Sequence, residues 1–535
     1  MSAPPVDVPV AAPHVGMRFV VEGPPVGALW RRALARAVLV PLPVLAPLVA
    51  LAPTRDHRFN LYWHGGMFRD DPWRIVPHTV DSLPGYLRLG NFRLFGRMLE
   101  KALDTAAYAL SEVLGLPVNV GFRLVSFLSA LALCVTAVLL AESVIARGKV
   151  FRRPPSTMAA VVPFAVAAGF VAAGGSSPIV LFGGLYLGSA ALVLGVTAAL
   201  CRIDPDRPFR LWWAPLLLLG GASLAAFNEI ACLALPLATV AVLARGWLVL
   251  GLRPGRLVTA APARAIALLW LGFLPVFLAV RVVIQRYCSA GDCYRGSDVR
   301  FTADTVEAFP VRAISWLPPL MWRAATAGGS ARPWLGGVVL IVAVIALGLL
   351  AWHAIRDLPR LSRVGRRGAL AVVLTAGTLV VLGAAMGSLN VDVQQLVTGG
   401  RWGSGWRDSA VTTTAGALVL AGGLHLVRRK GLVLSAVVLF AVAASVSAAA
   451  NKRQRDTAMA TPAARLADRV AVEMADFDPG PGGAARRCAL RAEFLKLYAD
   501  SPFSVRRFDE SLETAAQQRA GVAFCPGVTG ADRPR

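Results

Sequence analysis

Asp70 and Asp71 stand side by side in a segment crowded with other ionisable groups. Asp56-His57-Arg58, Tyr62-Trp63-His64 and Phe68-Arg69 precede them; Pro72-Trp73-Arg74, His78 and Asp81 follow. Adjacent carboxylates beside arginines and histidines suit general-base work on a hydroxyl. One acid takes the proton while cations steady a phosphate leaving group. A purely local reading stands beside this one: Asp71 before Pro72 has the form of a helix N-cap with proline at the first helical position. Asp70 can likewise pair with Arg69 or Arg74. His57, His64 and His78, with Asp70 and Asp71, carry metal-binding atoms, but their spacings match no metal motif. No metal ligand is assigned, and the three histidines read as solvated loop residues.

Three further groups carry chemistry. Asn228-Glu229 interrupts an apolar run, and a carboxylate at such an edge points either to a cavity or to a simple polar turn. Trp316, Trp322, Arg323 and Trp334 fall in the loop 300–334, where Trp316 and Trp334 read first as an interfacial belt. Gly399-Gly400-Arg401-Trp402-Gly403-Ser404-Gly405-Trp406-Arg407 combines glycines, which allow close backbone approach, with arginine and tryptophan. Indoles stack on sugar rings and guanidinium groups grip phosphate.

These residues need a frame, and composition supplies it. The chain has 535 residues, is 56% hydrophobic and 16% charged, and carries a net charge of +24. The arginines sit in short clusters between apolar runs and not on one basic domain, which argues against nucleic acid as a partner. A run of about 20 apolar residues crosses a bilayer. Such runs fall near 33–52, 121–143, 158–174, 178–200, 211–227, 230–250, 265–284, 335–354, 368–387, 410–427 and 432–450. The expected fold is therefore all-α and polytopic, with about 11 transmembrane helices in a domain spanning 33–450. Residues 1–32 read as a disordered cytoplasmic tail.

Arginine fixes the expected orientation. Arg31, Arg32 and Arg36 open the first run; Arg147, Lys149, Arg152 and Arg153 follow the second; Arg202, Arg207 and Arg210 follow the fourth. Arg253, Arg256 and Arg264 follow the sixth, Arg356 to Arg367 the eighth, and Arg428, Arg429 and Lys430 the tenth. All fall on one side if the N-terminus is cytoplasmic, and the C-terminus is then outside. The outer side holds loops 53–118, 285–334 and 388–409, and a tail, 451–535, with helix-like segments. Cys288 and Cys293 share one of these loops, and Cys488 and Cys525 share the tail. Pairing within each is the simplest assignment on an oxidising face. From Phe92 to Leu114 apolar residues recur at helical spacing, so that stretch is expected to lie along the membrane surface.

The first loop resembles the polytopic GT-C glycosyltransferases, and most of all the bacterial branch related to O-antigen glucosyltransferases. The resemblance rests on the acidic pair Asp70-Asp71 after the first span and on Tyr86, Asn91-Phe92 and Phe95-Gly96-Arg97 leading a surface helix. The Asn228-Glu229 turn is similar too, and the likeness covers the first third to half of the chain. It implies a protein of the bacterial plasma membrane that takes a sugar from a polyprenyl-phosphate donor. The acceptor would be an envelope glycan or lipid on the outer face, and transfer would proceed by direct displacement with inversion. Asp70 or Asp71 would be the base. Arg74, Arg93 and Arg97 would meet the donor phosphate, with Glu229, Arg401 and Trp402 as further substrate-binding candidates. The cofactor is left open. A transporter or lipid flippase, and a non-enzymatic envelope assembly protein, are the competing classes; no internal repeat and no acid at a span centre favours transport.

Overall fold

The computed structural model describes residues 25–289, 298–327, 333–427 and 429–527. Among them there is no strand, only two isolated bridges, Ser156 with Ser362 and Val299 with Asn390. Eight helices are long and apolar enough to cross a membrane: Val118–Ile145, Gly183–Cys201, Ala231–Val249, Ala261–Ser289, Gly337–Arg360, Arg366–Ser388, Ser409–Leu426 and Gly431–Met459. That is fewer than the eleven expected runs, and the differences have local causes. Pro41, Pro43 and Pro47 break the first run into Val26–Leu39, Pro41–Leu45 and Ala46–Leu48, because proline lacks the amide proton and clashes with the preceding turn. Its helix also begins at Val26, inside the stretch expected to be disordered. Met158–Ala168 and Leu211–Ala225 are apolar but short.

Met158–Ala168 is buried at every position, as an all-round apolar helix must be. It packs against Val118–Ile145, Ser409–Leu426 and the long helix ending at Met459, while Val118–Ile145 pairs most extensively with Gly183–Cys201. Ala261–Ser289 lies at the periphery and exposes Leu271, Leu274, Leu278 and Val282. That is the face such a helix turns to lipid.

Segments that alternate along the chain gather at two opposite ends. At one end the arginine-bearing loops meet: Trp30 donates to the Arg153 carbonyl (2.9 Å), Arg36 pairs with Asp357 (2.6 Å), and Arg245 donates to the Ala146 carbonyl (3.1 Å). At the other end the long loops and the tail meet. Thr54 donates to the Gly175 carbonyl (2.9 Å), the Gly405 amide to the Ala173 carbonyl (2.7 Å), and Arg312 to the Ser404 carbonyl (2.8 Å).

Two helices from the first loop build the second end. The first, His57–Phe68, packs against Leu94–Leu114, the amphipathic stretch expected from 92 to 114. Gly115, at φ 62°, ends the latter with a left-handed cap. The last of the long apolar helices runs on to Met459, nine residues into the stretch 451–535. Pro462–Ala475, Pro481–Leu497 and Pro502–Ala520 follow, and the last of these packs on His57–Phe68. Phe59, Phe494 and Phe508 share one apolar cluster there, with the last two rings stacked at 4.1 Å. Burial of such side chains contributes about 1.5–3 kcal/mol each. Cys488 and Cys525 are disulfide-bonded, with α-carbons 4.9 Å apart. Cys293, of the other expected pair, lies outside the described residues, as do residues 1–24.

Candidate functional site

Leu94–Leu114 turns a polar stripe inward. Arg97, Glu100, Lys101 and Asp104 recur at spacings of three and four, so one helix face carries them all. Glu100, Lys101 and Asp104 are buried. The helix begins where the backbone of the 226–227 turn meets it: the Phe95 and Gly96 amides donate to the Ala226 and Phe227 carbonyls, both at 3.1 Å. A β-carbon on Gly96 would stand 2.4 Å from the Phe227 oxygen, so only glycine permits this docking.

That docking delivers Glu229 to Arg93. The two form an ion pair, and Arg407 reaches the same carboxylate oxygen at 3.2 Å. Burial works against the Glu229 carboxylate, but Arg93 and Arg407 outweigh it and hold its pKa down to about 2. Asn228 secures the turn, accepting from the Ala231 amide (2.9 Å) and donating to the Ser189 hydroxyl (2.6 Å).

Around these groups lies a cavity of about 660 Å³. Its cationic wall is Arg93, Arg97, Lys101, Arg407 and Arg507; Asp56, Glu100, His64, His78, Asn60 and Tyr86 are among its other polar residues. The guanidinium groups rest on rings: Arg97 on Tyr86 at 4.7 Å, Arg407 on Trp406 at 4.9 Å and Arg507 on Trp63 at 4.3 Å. Glu100 is occupied by Arg97 (2.7 Å) and Asn60 (3.2 Å). Lys101 donates to Thr79 (3.0 Å) and to His78 Nδ1 (2.9 Å). Burial, opposed by Glu100 and reinforced by Arg97, brings Lys101 down to about 8. Burial and then Lys101 push His78 below its usual range, so it accepts as a neutral ring.

Behind the wall, Asp104 holds two histidines. His57 Nε2 lies 2.8 Å from one carboxylate oxygen and His64 Nδ1 2.8 Å from the other. The Phe182 amide donates to His57 Nδ1 at 3.0 Å, so the His57 proton sits on Nε2. Burial opposes the Asp104 charge, yet His57 and His64 keep its pKa below the ordinary value. Only two described non-glycine residues have positive φ, Arg55 and Phe182, both at 51°. Phe182 lines the cavity and Arg55 precedes Asp56. Strained backbone of this kind concentrates at functional sites.

Known protein families, curated proteins and solved structures contain no match to this chain.

The expected site residues divide. Arg93 and Arg97 line the cavity, and Glu229 is bonded to its wall. Asp70 and Asp71 do not line it. Asp70 is exposed and accepts from Gln518 of the last tail helix at 3.2 and 3.3 Å, with Arg69 at 3.8 Å. Asp71 is exposed at the start of the turn Pro72–Arg74, without the expected side-chain cap. Arg74 is exposed, and Trp402 is 47% exposed with its ring nitrogen donating to the Val397 carbonyl. Arg401 lines a second cavity. His57 and His64 are buried partners of Asp104, a correction to their reading as solvated. Among the described residues no His, Cys, Asp and Glu side chains form a group fit to hold a metal ion. Lys101 and Asp104 lie at i+4 and i+7 from Arg97, a one-face register that the sequence itself displays.

Proposed function

We propose that this chain is a membrane glycosyltransferase of the GT-C kind, using a polyprenyl-phosphate sugar as donor and an envelope glycan or lipid as acceptor. The observation that carries the reading is the 660 Å³ cavity, whose lining sets five cations beside Asp56, an exposed carboxylate with no ion pair among the described residues and with Arg507 as its electrostatic neighbour. Glu100 is spent on Arg97, and Glu229 on Arg93 and Arg407. Asp56 thus replaces the acidic pair as the first-loop base, and Arg97, Lys101 and Arg507 are the phosphate ligands. In the transfer, an acceptor oxygen bonds to the anomeric carbon from the face opposite the phosphate. The carbon–oxygen bond to phosphate breaks, its electrons leave with polyprenyl phosphate, and the hydroxyl proton passes to Asp56. The cations stabilise the charge that develops on the leaving phosphate.

A lipid donor also needs an apolar path. Tyr86 and Leu89 line the polar cavity; Val80, Leu83, Leu87 and Arg88 line an adjoining cleft of about 490 Å³ against Tyr287, at the end of the peripheral helix. In this reading the cavity end is extracytoplasmic and the arginine end cytoplasmic, in a bacterial plasma membrane. The test is transfer of label from a radiolabelled polyprenyl-phosphate sugar in membranes. Transfer by the wild type and its loss in Asp56→Asn support the reading; no use of any lipid-linked sugar removes it.

A further inference from the structure

A second cavity, of about 460 Å³, shares a wall with the first. Consecutive residues face the two: Arg55 lines the second and Asp56 the first, Trp406 the second and Arg407 the first. Consecutive α-carbons are about 3.8 Å apart, so the two spaces are separated by the thickness of one backbone. The second is lined by Arg55, Ser176, Asp392, Arg401, Ser404 and Trp406, among others.

Its shape is built, not incidental. The three segments that enclose it are tied together by Thr54 to Gly175, by the Gly405 amide to Ala173, and by Arg312 to the Ser404 carbonyl. A β-carbon on Gly405 would come within 2.8 Å of the Ser177 α-carbon, which keeps the glycine-rich loop against the 173–177 turn. Arg312 is itself fixed by Asp408 in a fully buried pair at 2.8 Å. Neither Arg55 nor Arg401 has an ion-pair partner among the described residues, and Arg55 is held at φ 51°. Two cations against one acid, with serine hydroxyls and an indole, make a site for a polyhydroxylated ring that carries a negative charge.

We infer that this second cavity seats the acceptor, a saccharide bearing a carboxylate or other anionic group, and that the Arg55–Asp56 step places its hydroxyl beside the base. The acceptor role rests on the glycosyltransferase reading above, while the saccharide site stands on the second cavity's own geometry.

The experiment titrates the purified full chain, in nanodiscs, with two probes: a glucuronate-containing hyaluronan tetrasaccharide and undecaprenyl phosphate. Neutral cellotetraose is the control. The acidic tetrasaccharide is expected to bind at least tenfold tighter than the neutral one. Arg401→Glu should remove that preference and leave undecaprenyl phosphate binding unchanged. Arg55→Asn, a residue tolerant of positive φ, should weaken the tetrasaccharide severalfold in the same way. Equal binding of acidic and neutral tetrasaccharides, or no effect of Arg401→Glu, overturns the inference. If undecaprenyl phosphate fails to bind while the tetrasaccharide still responds to Arg401→Glu, the saccharide site stands and the donor reading falls.

Discussion

Glu229, in the turn between two apolar helices, is ion-paired with Arg93, 136 residues earlier in the chain. Arg93 is almost wholly buried, so the pair joins the amphipathic helix to the membrane bundle. Removing one member leaves a buried charge uncompensated. Glu229→Gln is expected to cost about 3 kcal/mol of stability, read from denaturant unfolding in detergent. Acid provides an independent check. The folded pKa of about 2 lies below the ordinary value of 4.5, so the contribution is present above pH 4.5 and fades as pH falls toward 2. The variant should lack that part of the acid transition; an unchanged acid profile would count against the pair.

Lys101 gives the site a pH dependence. Held down to about 8, it loses its charge as pH rises from 7 to 9, whereas a phosphate monoester is already ionised there. Affinity for undecaprenyl phosphate should therefore fall severalfold over that interval. Lys101→Arg should flatten the curve. Stability of the unliganded protein should move the other way, rising between about pH 8 and 10.5, where the unfolded chain binds the extra proton.

Asp56 and the acidic pair make opposite predictions. Loss of a general base costs about 10²–10⁴ in rate, so Asp56→Asn should reduce sugar transfer by that order with little change in donor binding. Asp70→Asn and Asp71→Asn should stay within about twofold of the wild type, because both carboxylates are exposed outside the cavity. A large loss in either would return the base to the acidic pair.

Arg312 and Asp408 allow a double-mutant test. Their side chains are 2% and 0% exposed. Arg312→Met alone should destabilise by about 3–5 kcal/mol, and Asp408→Leu added to it should recover much of the loss. Simple additivity of the two changes would mean that the pair is not coupled.

What the sequence revealed, and what it hid, follows from the range of the interactions. Apolar runs, arginine clusters, the Asn228-Glu229 turn and the Cys488–Cys525 pair are local or compositional, and each was legible. The helix Leu94–Leu114 was legible by its period, but its polar stripe read as a wet face because nothing local says that His57–Phe68 covers it. Asp104 meets His57 and His64 across 47 and 40 residues, and Gln518 meets Asp70 across 448. Pairings over such distances are properties of packing. The aspartate pair drew attention because its neighbours in sequence are charged, yet the cavity is assembled from neighbours in space. Prolines broke the first apolar run in a way that a hydropathy window does not register.

The cavity takes Asp56 from the first loop and Arg507 from the last tail helix, and walls from several segments between them. During synthesis Asp56 emerges long before Arg507. Every nascent chain that stops short of residue 507 therefore carries Asp56 without the full lining of the cavity. No piece that lacks Asp56 or Arg507 holds the whole lining, so the site can be tested only in a polypeptide that retains its tail as far as residue 507.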